Sequence, residues 1–183
     1  MEKGDNKDLV EFLTPMAKVY CTEAGIHAAE MAMQLLGGYG YLQEYRLEQT
    51  YRDARITSIY EGANGIHERM LVTRLLHGPS SKAFQAFVEK EVENHTEESI
   101  SASFELWRRA NEKLQPLQNP SPYAHDFMRL TNETLLQCLY ARMARSAVAH
   151  PDTNRIERVV AEAARLGVIH AIAHSRIIDE RVK

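Results

Sequence analysis

Residues 14–38 read TPMAKVYCTEAGIHAAEMAMQLLGG, and this run decides the fold class. Tyr20, Ala24, Ala28, Met31 and Leu35 recur at steps of four or three, the spacing of one face of an α-helix. Thr14 and Pro15 supply a start. A threonine hydroxyl can cap orphan backbone N–H groups, and proline at the first helical position gives up an N–H that would have no partner. Gly37 and Gly38 supply the stop, because glycine takes backbone conformations that other residues resist. The sequence therefore predicts one long helix from Thr14 to Gly37, with Leu9–Leu13 as the end of an earlier one.

Outward from this run the same period persists. Gly37–Gln49 reads as a loop rich in glycine and tyrosine, and Thr50–Ile59 as a short helix. Tyr60-Glu61-Gly62 interrupts the pattern. Asn64–Leu76 is helical again, with Ile66, Met70, Leu75 and Leu76 on one side, and His77-Gly78-Pro79 ends it. Four more helices follow. One starts at Ser80 or Ser81 and carries Phe84, Phe87, Val88 and Val92. Thr96 caps the next, where Glu97 and Glu98 suit the positive end of the helix dipole and Ile100, Phe104, Trp107 and Leu114 form the apolar face. Ser121-Pro122 opens a helix running to about Ala149. Pro151-Asp152 punctuates, and the last helix carries Ile156, Val160, Ala163 and Ile177. No alternation of strand type has useful length, so the expectation is all-α, an up-and-down helical bundle. The softest boundary, His77–Ser81, divides the chain into 1–78 and 79–183.

Composition excludes several classes of function. The 183 residues are 44% hydrophobic, enough for a buried core in one medium domain or two small ones. Basic and acidic residues number 22 and 25, a net charge of -3, which argues against a polybasic nucleic-acid binder and an acidic disordered tail. Cys21 and Cys138 are the only cysteines and form no CxxC pair, which excludes a disulfide framework and a structural zinc site. A reducing, cytoplasmic setting is the expectation. No apolar run approaches the roughly 20 residues that span a membrane. Met1–Val10 is charged and has no apolar segment of signal-peptide type.

Glu61 is the residue most suggestive of chemistry. It lies between an aromatic residue and a glycine, at a break between two helices. A loop carboxylate beside glycine can project into a pocket while the backbone approaches a ligand closely. In an apolar pocket, loss of hydration would make it a base usable near neutrality. The plainer reading is a surface glutamate favoured by the following helix dipole.

Other features have plain readings beside sharper ones. Gly37-Gly38-Tyr39-Gly40-Tyr41 follows a helix, whereas a dinucleotide-binding glycine loop follows a strand, so a helix end and tight turn fit it better. A flat ligand stacking near Tyr39 or Tyr41 is the sharper alternative. Arg52 and Arg55 share a helix face and suit either phosphate or solvent. His170 and His174 have the i, i+4 spacing of two metal ligands, but no third ligand stands nearby in sequence, and a partly buried helix face explains them. Cys21 and Cys138 read as small packing residues. Met16, Met31, Met33 and Met70 read as core. No metal site is expected.

Three segments taken together resemble a known family. They are Gln34-Leu-Leu-Gly-Gly-Tyr-Gly-Tyr41, Glu48-Gln-Thr-Tyr-Arg-Asp-Ala-Arg-Ile56 and Ile59-Tyr-Glu-Gly-Ala-Asn-Gly-Ile66. Their order and spacing resemble the C-terminal region of acyl-CoA dehydrogenases over roughly Phe12–Leu76. The remainder from Pro79 resembles, in general character only, the extra helical region of the longer bacterial members. The Asn64-Gly65-Ile66 ending fits the same subgroup.

The resemblance implies an FAD-dependent enzyme that oxidises an acyl-CoA to the trans-2-enoyl-CoA and passes electrons to an electron-transfer flavoprotein. It assigns Glu61 the role of the base that takes the α-proton, and it gives the Glu61 backbone N–H a share in holding the thioester carbonyl, as an oxyanion hole does. It places Gly62 against substrate. Gln34, Leu35, Leu36, Gly37 and Gly38 would touch the FAD of a neighbouring subunit, and Ala63, Asn64 and Gly65 would lie beside the flavin of the same subunit. It implies a homodimer or homotetramer, with no nucleic-acid or membrane partner. Ala63 departs from the family, which usually has threonine there. The N-terminal helical domain and the middle β-domain of the family are not readable in this chain, so the resemblance implies the C-terminal portion of a longer enzyme, inactive alone and weak toward FAD. The alternative is a non-catalytic helical oligomerisation module of a dehydrogenase-like protein; a carboxylate at position 61 favours the enzyme.

Overall fold

Helix α1 runs through the proline expected to start it. In the computed structural model, which describes residues 6–94, 98–147 and 153–182, α1 spans Lys7–Leu35 with Pro15 in its interior. Thr14 does not cap: its hydroxyl donates to the Val10 carbonyl one turn back, at 2.7 Å. An interior proline costs a helix about 3 kcal/mol. What holds α1 continuous is the fully buried trio Phe12, Met16 and Val19, which straddles Pro15 and packs into the core. The face predicted from spacing points elsewhere: Ala24, Ala28, Met31 and Leu35 are exposed in this chain.

The expected loop after α1 contains regular turns. Helix α2 spans Gly38–Tyr41 and a 3-10 turn spans Gln43–Tyr45. Helix α3 spans Leu47–Thr57, starting three residues earlier than expected, and α4 spans Asn64–Thr73, continued by a 3-10 turn at Leu75–His77. On α4 and this turn the buried residues are Leu71, Val72, Leu75 and Leu76. Ile66, expected inside, is exposed.

The rest follows the predicted order. Helix α5 spans Pro79–Asn94, α6 Glu98–Leu114, α7 Ala124–Ala147 and α8 Thr153–Arg181. Ser121-Pro122 opens a 3-10 turn, Ser121–Tyr123, that leads into α7. The cap assigned to Thr96, the residue Glu97, the α7 end near Ala149 and the break at Pro151-Asp152 lie outside the described residues. Among the described residues there is no strand, and the fold is all-α.

Helix α1 packs on α3, α4 and α5, while α7 packs on α4, α6 and α8. One buried cluster joins these groups. At its centre Phe12 of α1 stacks on Phe84 of α5, with ring centroids 4.8 Å apart. Phe84 meets Trp107 of α6 edge-on at 5.2 Å. Each such pair adds about 0.5–1.5 kcal/mol beyond the area buried. The buried Trp107 indole N–H is satisfied by Thr131 Oγ1 on α7, at 3.1 Å, and Thr131 in turn donates to the Phe127 carbonyl.

Candidate functional site

The α3–α4 connection is pinned at both ends by α1. The Asn64 backbone N–H donates to the Ser58 carbonyl at 3.1 Å and closes the loop. The Asn64 side chain turns inward: its Nδ2 donates to Thr22 Oγ1 at 3.0 Å, and Thr22 donates to the Lys18 carbonyl. Lys18 Nζ donates to the Thr57 carbonyl at the end of α3, and it lies 5.7 Å from the centre of the Tyr60 ring, a cation–π distance. Arg55 donates to the Ser58 hydroxyl. Lys18 and Thr22, one turn apart on α1, therefore anchor a loop that begins more than 30 residues later.

Between these anchors the chain bulges outward. Glu61 has φ 52, in the left-handed region that a residue with a Cβ rarely adopts, and Gly62 follows at φ 89. Such a conformation costs on the order of 1–3 kcal/mol and persists only where its surroundings over-determine it. Here the surroundings include His67, one turn into α4, whose Nε2 lies 3.3 Å from the Glu61 carbonyl. A carbonyl only accepts, so Nε2 carries the proton and donates. His67 Nδ1 is buried, with no hydrogen-bond partner among the described residues. Gly62 is needed twice over: its φ suits glycine, and a Cβ there would stand 3.0 Å from His67 Nε2.

The result presents Glu61 on the surface, and Ile59, Tyr60 and Ile66, close to it in sequence, are exposed as well. A carboxylate becomes a desolvated base once apolar groups cover it. Within this chain nothing does, so the pocket expected around Glu61 is absent among the described residues. Ala63 and Gly65 are exposed, and a Cβ on Gly65 would meet nothing within 4 Å. The start of α4 thus offers open backbone to a flat ligand, whereas the Asn64 side chain is committed inward.

Gln34–Gly38 form a second exposed segment. Leu35 is 81% exposed, and Leu36 and Tyr39 are open as well. Beside them lies an open cleft of about 1040 Å³ lined by Met33, Tyr41, Arg46, Tyr51 and Arg52 among others. Gly40 is buried here because a Cβ would fall 2.3 Å from the Met33 carbonyl oxygen. The structure does not bring this segment to Glu61. Gln34 lies twelve residues beyond Thr22 on α1, about 18 Å along the helix at 1.5 Å per residue.

The remaining candidates separate from this site. His170 Nδ1 faces Glu133 at 3.3 Å, and His174 Nδ1 faces Asp126 at 3.1 Å. Among the described residues no three metal-ligating side chains converge, and none of the helices is long and apolar enough to cross a membrane. Cys21, expected to pack, is exposed, whereas Cys138 is buried. Burial pushes the Cys138 thiol up to about 12. Of the four methionines read as core, Met16 is buried, Met33 and Met70 are half-buried and Met31 is exposed. His67, Lys18 and Thr22 carry no motif of their own. Only the Lys18-to-Thr22 spacing was available as a signal, and it points to a helix face without saying what it meets.

Residues 1–76, which contain both exposed segments, match the model of the acyl-CoA dehydrogenase C-terminal domain. This part of the chain is similar to the C-terminal domain of acyl-CoA dehydrogenases. A 3-methylmercaptopropionyl-CoA dehydrogenase of Ruegeria pomeroyi is 34% identical over 87 residues, which is 48% of this chain and 15% of that protein. An acyl-CoA dehydrogenase of Bacillus subtilis is 44% identical over 63 residues, 34% of this chain and 16% of that protein. The caffeyl-CoA reductase-Etf complex subunit CarC of Acetobacterium woodii is 39% identical over 72 residues, 39% of this chain and 19% of that protein. The chain thus spans less than a fifth of the length of each of these relatives.

Proposed function

We propose that this chain is the C-terminal portion of an FAD-dependent acyl-CoA dehydrogenase in which Glu61 takes the α-proton of the acyl-CoA. The observation that carries the reading is the loop itself. Inside the segment that matches the family, a glutamate is held in a left-handed conformation, fastened from behind by His67 and Asn64, with its side chain on the open surface.

In this reading the exposed surface of Ile59, Tyr60 and Ile66 is covered by other parts of the longer polypeptide together with the acyl chain. Covering it excludes water from the Glu61 carboxylate and strengthens every electrostatic interaction around it. Glu61 Oε abstracts the proton at the carbon next to the thioester, and the Glu61 backbone N–H donates to the thioester carbonyl, so the negative charge that develops on that oxygen is held. Gly62 lets substrate approach the loop backbone.

Bound FAD would supply the hydride acceptor for the β-hydrogen. Two observations support a fit to it: the open backbone of Ala63 and Gly65 at the start of α4, and the exposed Gln34, Leu35, Leu36, Gly37 and Gly38. The start of α4 is tied to α1 at Thr22, about 18 Å along the helix from Gln34, a spacing that suits contacts to two different flavins, one in the same subunit and one in a neighbour. That arrangement requires a homodimer or homotetramer. Ala63 cannot supply the hydroxyl hydrogen bond of the usual threonine, a loss of about 0.5–1.5 kcal/mol where water substitutes, so the change tunes the site without abolishing it. An electron-transfer flavoprotein is the proposed acceptor, supported by the relative named as part of an Etf complex. A cytoplasmic setting belongs to the same proposal.

The test uses the longer polypeptide that carries this chain. Its visible spectrum is recorded anaerobically while a panel of acyl-CoAs is added, and the titration is repeated with Glu61→Gln. A bound-flavin spectrum that bleaches with an acyl-CoA, and does not in the variant, is the expected result. Bleaching at the wild-type rate in the variant would overturn the role of Glu61. No flavin spectrum, or none that any acyl-CoA bleaches, would overturn the enzyme and leave a non-catalytic helical module.

A further inference from the structure

The backbone of Glu61 is held by a side chain that no sequence motif marks. Rotation about φ carries a residue's carbonyl and its Cβ together, so whatever fixes the Glu61 carbonyl also fixes where its carboxylate stands. Two backbone hydrogen bonds bracket the loop. The Tyr60 N–H donates to the Ile56 carbonyl at 3.1 Å, and the Asn64 N–H donates to the Ser58 carbonyl at 3.1 Å. Between them, among the described residues, the Glu61 carbonyl has one donor, His67 Nε2 at 3.3 Å, and the Glu61 N–H has no acceptor.

The His67 ring is committed to this bond. Its Nδ1 is buried and has no partner among the described residues. A proton on Nδ1 would be an orphaned buried donor, and it would leave the Nε2 lone pair facing the lone pairs of the carbonyl. A proton on Nε2 avoids both. Gly62 leaves room for the ring, since a Cβ there would stand 3.0 Å from Nε2. The same glycine makes the peptide between 61 and 62 easy to turn over. The ring therefore opposes relaxation of Glu61 from φ 52 toward the negative values that side-chain-bearing residues favour.

We propose that His67 is a positioning residue for the base: its Nε2–H holds the Glu61 carbonyl against α4, which keeps the carboxylate and the unpaired Glu61 N–H turned toward substrate. The inference rests on the reading of Glu61 as the base. His67 touches neither substrate nor flavin in it and acts through the Glu61 backbone alone.

The test uses the longer polypeptide proposed to carry this chain, with His67→Gln, His67→Asn and His67→Leu. A glutamine Nε2–H can stand where the imidazole Nε2–H stands, whereas asparagine is one carbon shorter and leucine has no donor. Exchange of the α-proton of a saturating acyl-CoA in D2O is followed for each, and acyl-CoA affinity is measured separately. His67→Leu and His67→Asn are expected to lose about tenfold or more in exchange rate, since misplacement by about 1 Å can cost about 100-fold. His67→Gln is expected to restore most of the parent rate. Circular dichroism and urea melts check that the variants fold alike. A second readout needs no substitution: in the 183-residue chain, the imidazole nitrogen NMR shifts of the neutral ring should place the His67 proton on Nε2. Parent exchange rates in His67→Leu, equal losses in every variant, or a proton on Nδ1 would each overturn the role of His67 while leaving Glu61 as the base. A parent that does not exchange would overturn the reading of Glu61 itself, and the role of His67 with it.

Discussion

Replacing Phe12 with alanine tests whether the matched first part of the chain and the helices after it share one core. Phe12 is fully buried, and its ring lies 4.8 Å from that of Phe84 on α5. Phe84 in turn meets Trp107 on α6. Removing a fully buried phenylalanine ring costs about 3–5 kcal/mol through lost transfer energy and the cavity left behind. That is a large share of the roughly 5–15 kcal/mol that holds a domain together. With a urea dependence of about 2 kcal/mol per molar, the unfolding midpoint should fall by about 1.5–2.5 M. Trp107 is the only tryptophan, so its fluorescence reports unfolding of the later helices without labelling. A shared core requires that Phe12→Ala, in residues 1–78, shift the Trp107 transition in residues 79–183 by the full amount, coincident with far-ultraviolet circular dichroism. A Trp107 transition that stays in place, while part of the helical signal is lost early, would refute it and show two independently unfolding units.

Other substitutions probe particular contacts. Glu91 is 3% exposed and takes two hydrogen bonds from Arg142, at 2.9 and 2.5 Å. Arg142→Ala should cost about 2–4 kcal/mol by removing a charged partner of a buried carboxylate, a loss that Glu91→Gln in the same background should partly recover in urea melts. Burial holds the Cys138 thiol up at about 12, so the folded chain should react with iodoacetamide at the exposed Cys21 alone, and a second thiol should react only on unfolding, as counted by mass spectrometry. Burial also raises the Glu133 carboxyl above the ordinary carboxylate range, against the opposing pull of His170, His174 and Arg129. The folded chain then holds that proton more tightly than the unfolded chain, so ionisation erodes stability as pH rises from the unfolded value through the folded one. Glu133→Gln should therefore gain urea midpoint relative to the parent as pH rises above the ordinary carboxylate value; a difference independent of pH would contradict this.

The helical period was legible wherever one face of a helix is buried within this chain. Phe84 and Val88 on α5 and Ile100, Trp107 and Leu114 on α6 lie where their spacing put them. On α1 the period misled. Tyr20, Ala24, Ala28, Met31 and Leu35 repeat as well as any core face, yet Leu35 stands in water and the buried trio lies earlier, around Pro15. Periodicity reports that a stripe is apolar without saying what covers it. Proline rules misplaced the helix start for a related reason: a local preference of about 3 kcal/mol yields when buried side chains on both sides of the proline hold the helix together. At the site, the break at Glu61 was visible because an aromatic residue and a glycine flank it. The network behind it was not, since Lys18, Thr22 and His67 act through partners such as the Thr57 and Glu61 carbonyls and the Asn64 side chain. Long-range hydrogen bonds of this kind leave no periodic trace.

The most direct measurement of the central claim is proton exchange at the carbon that Glu61 is proposed to attack. The longer polypeptide proposed to carry this chain is incubated in D2O with an acyl-CoA, and deuterium at the carbon next to the thioester is followed by NMR. The parent protein should exchange that position. Glu61→Gln should lose exchange by about 100-fold or more, the scale of a general base, while still binding the acyl-CoA. Exchange at the parent rate in a Glu61→Gln variant that binds the acyl-CoA would contradict the account.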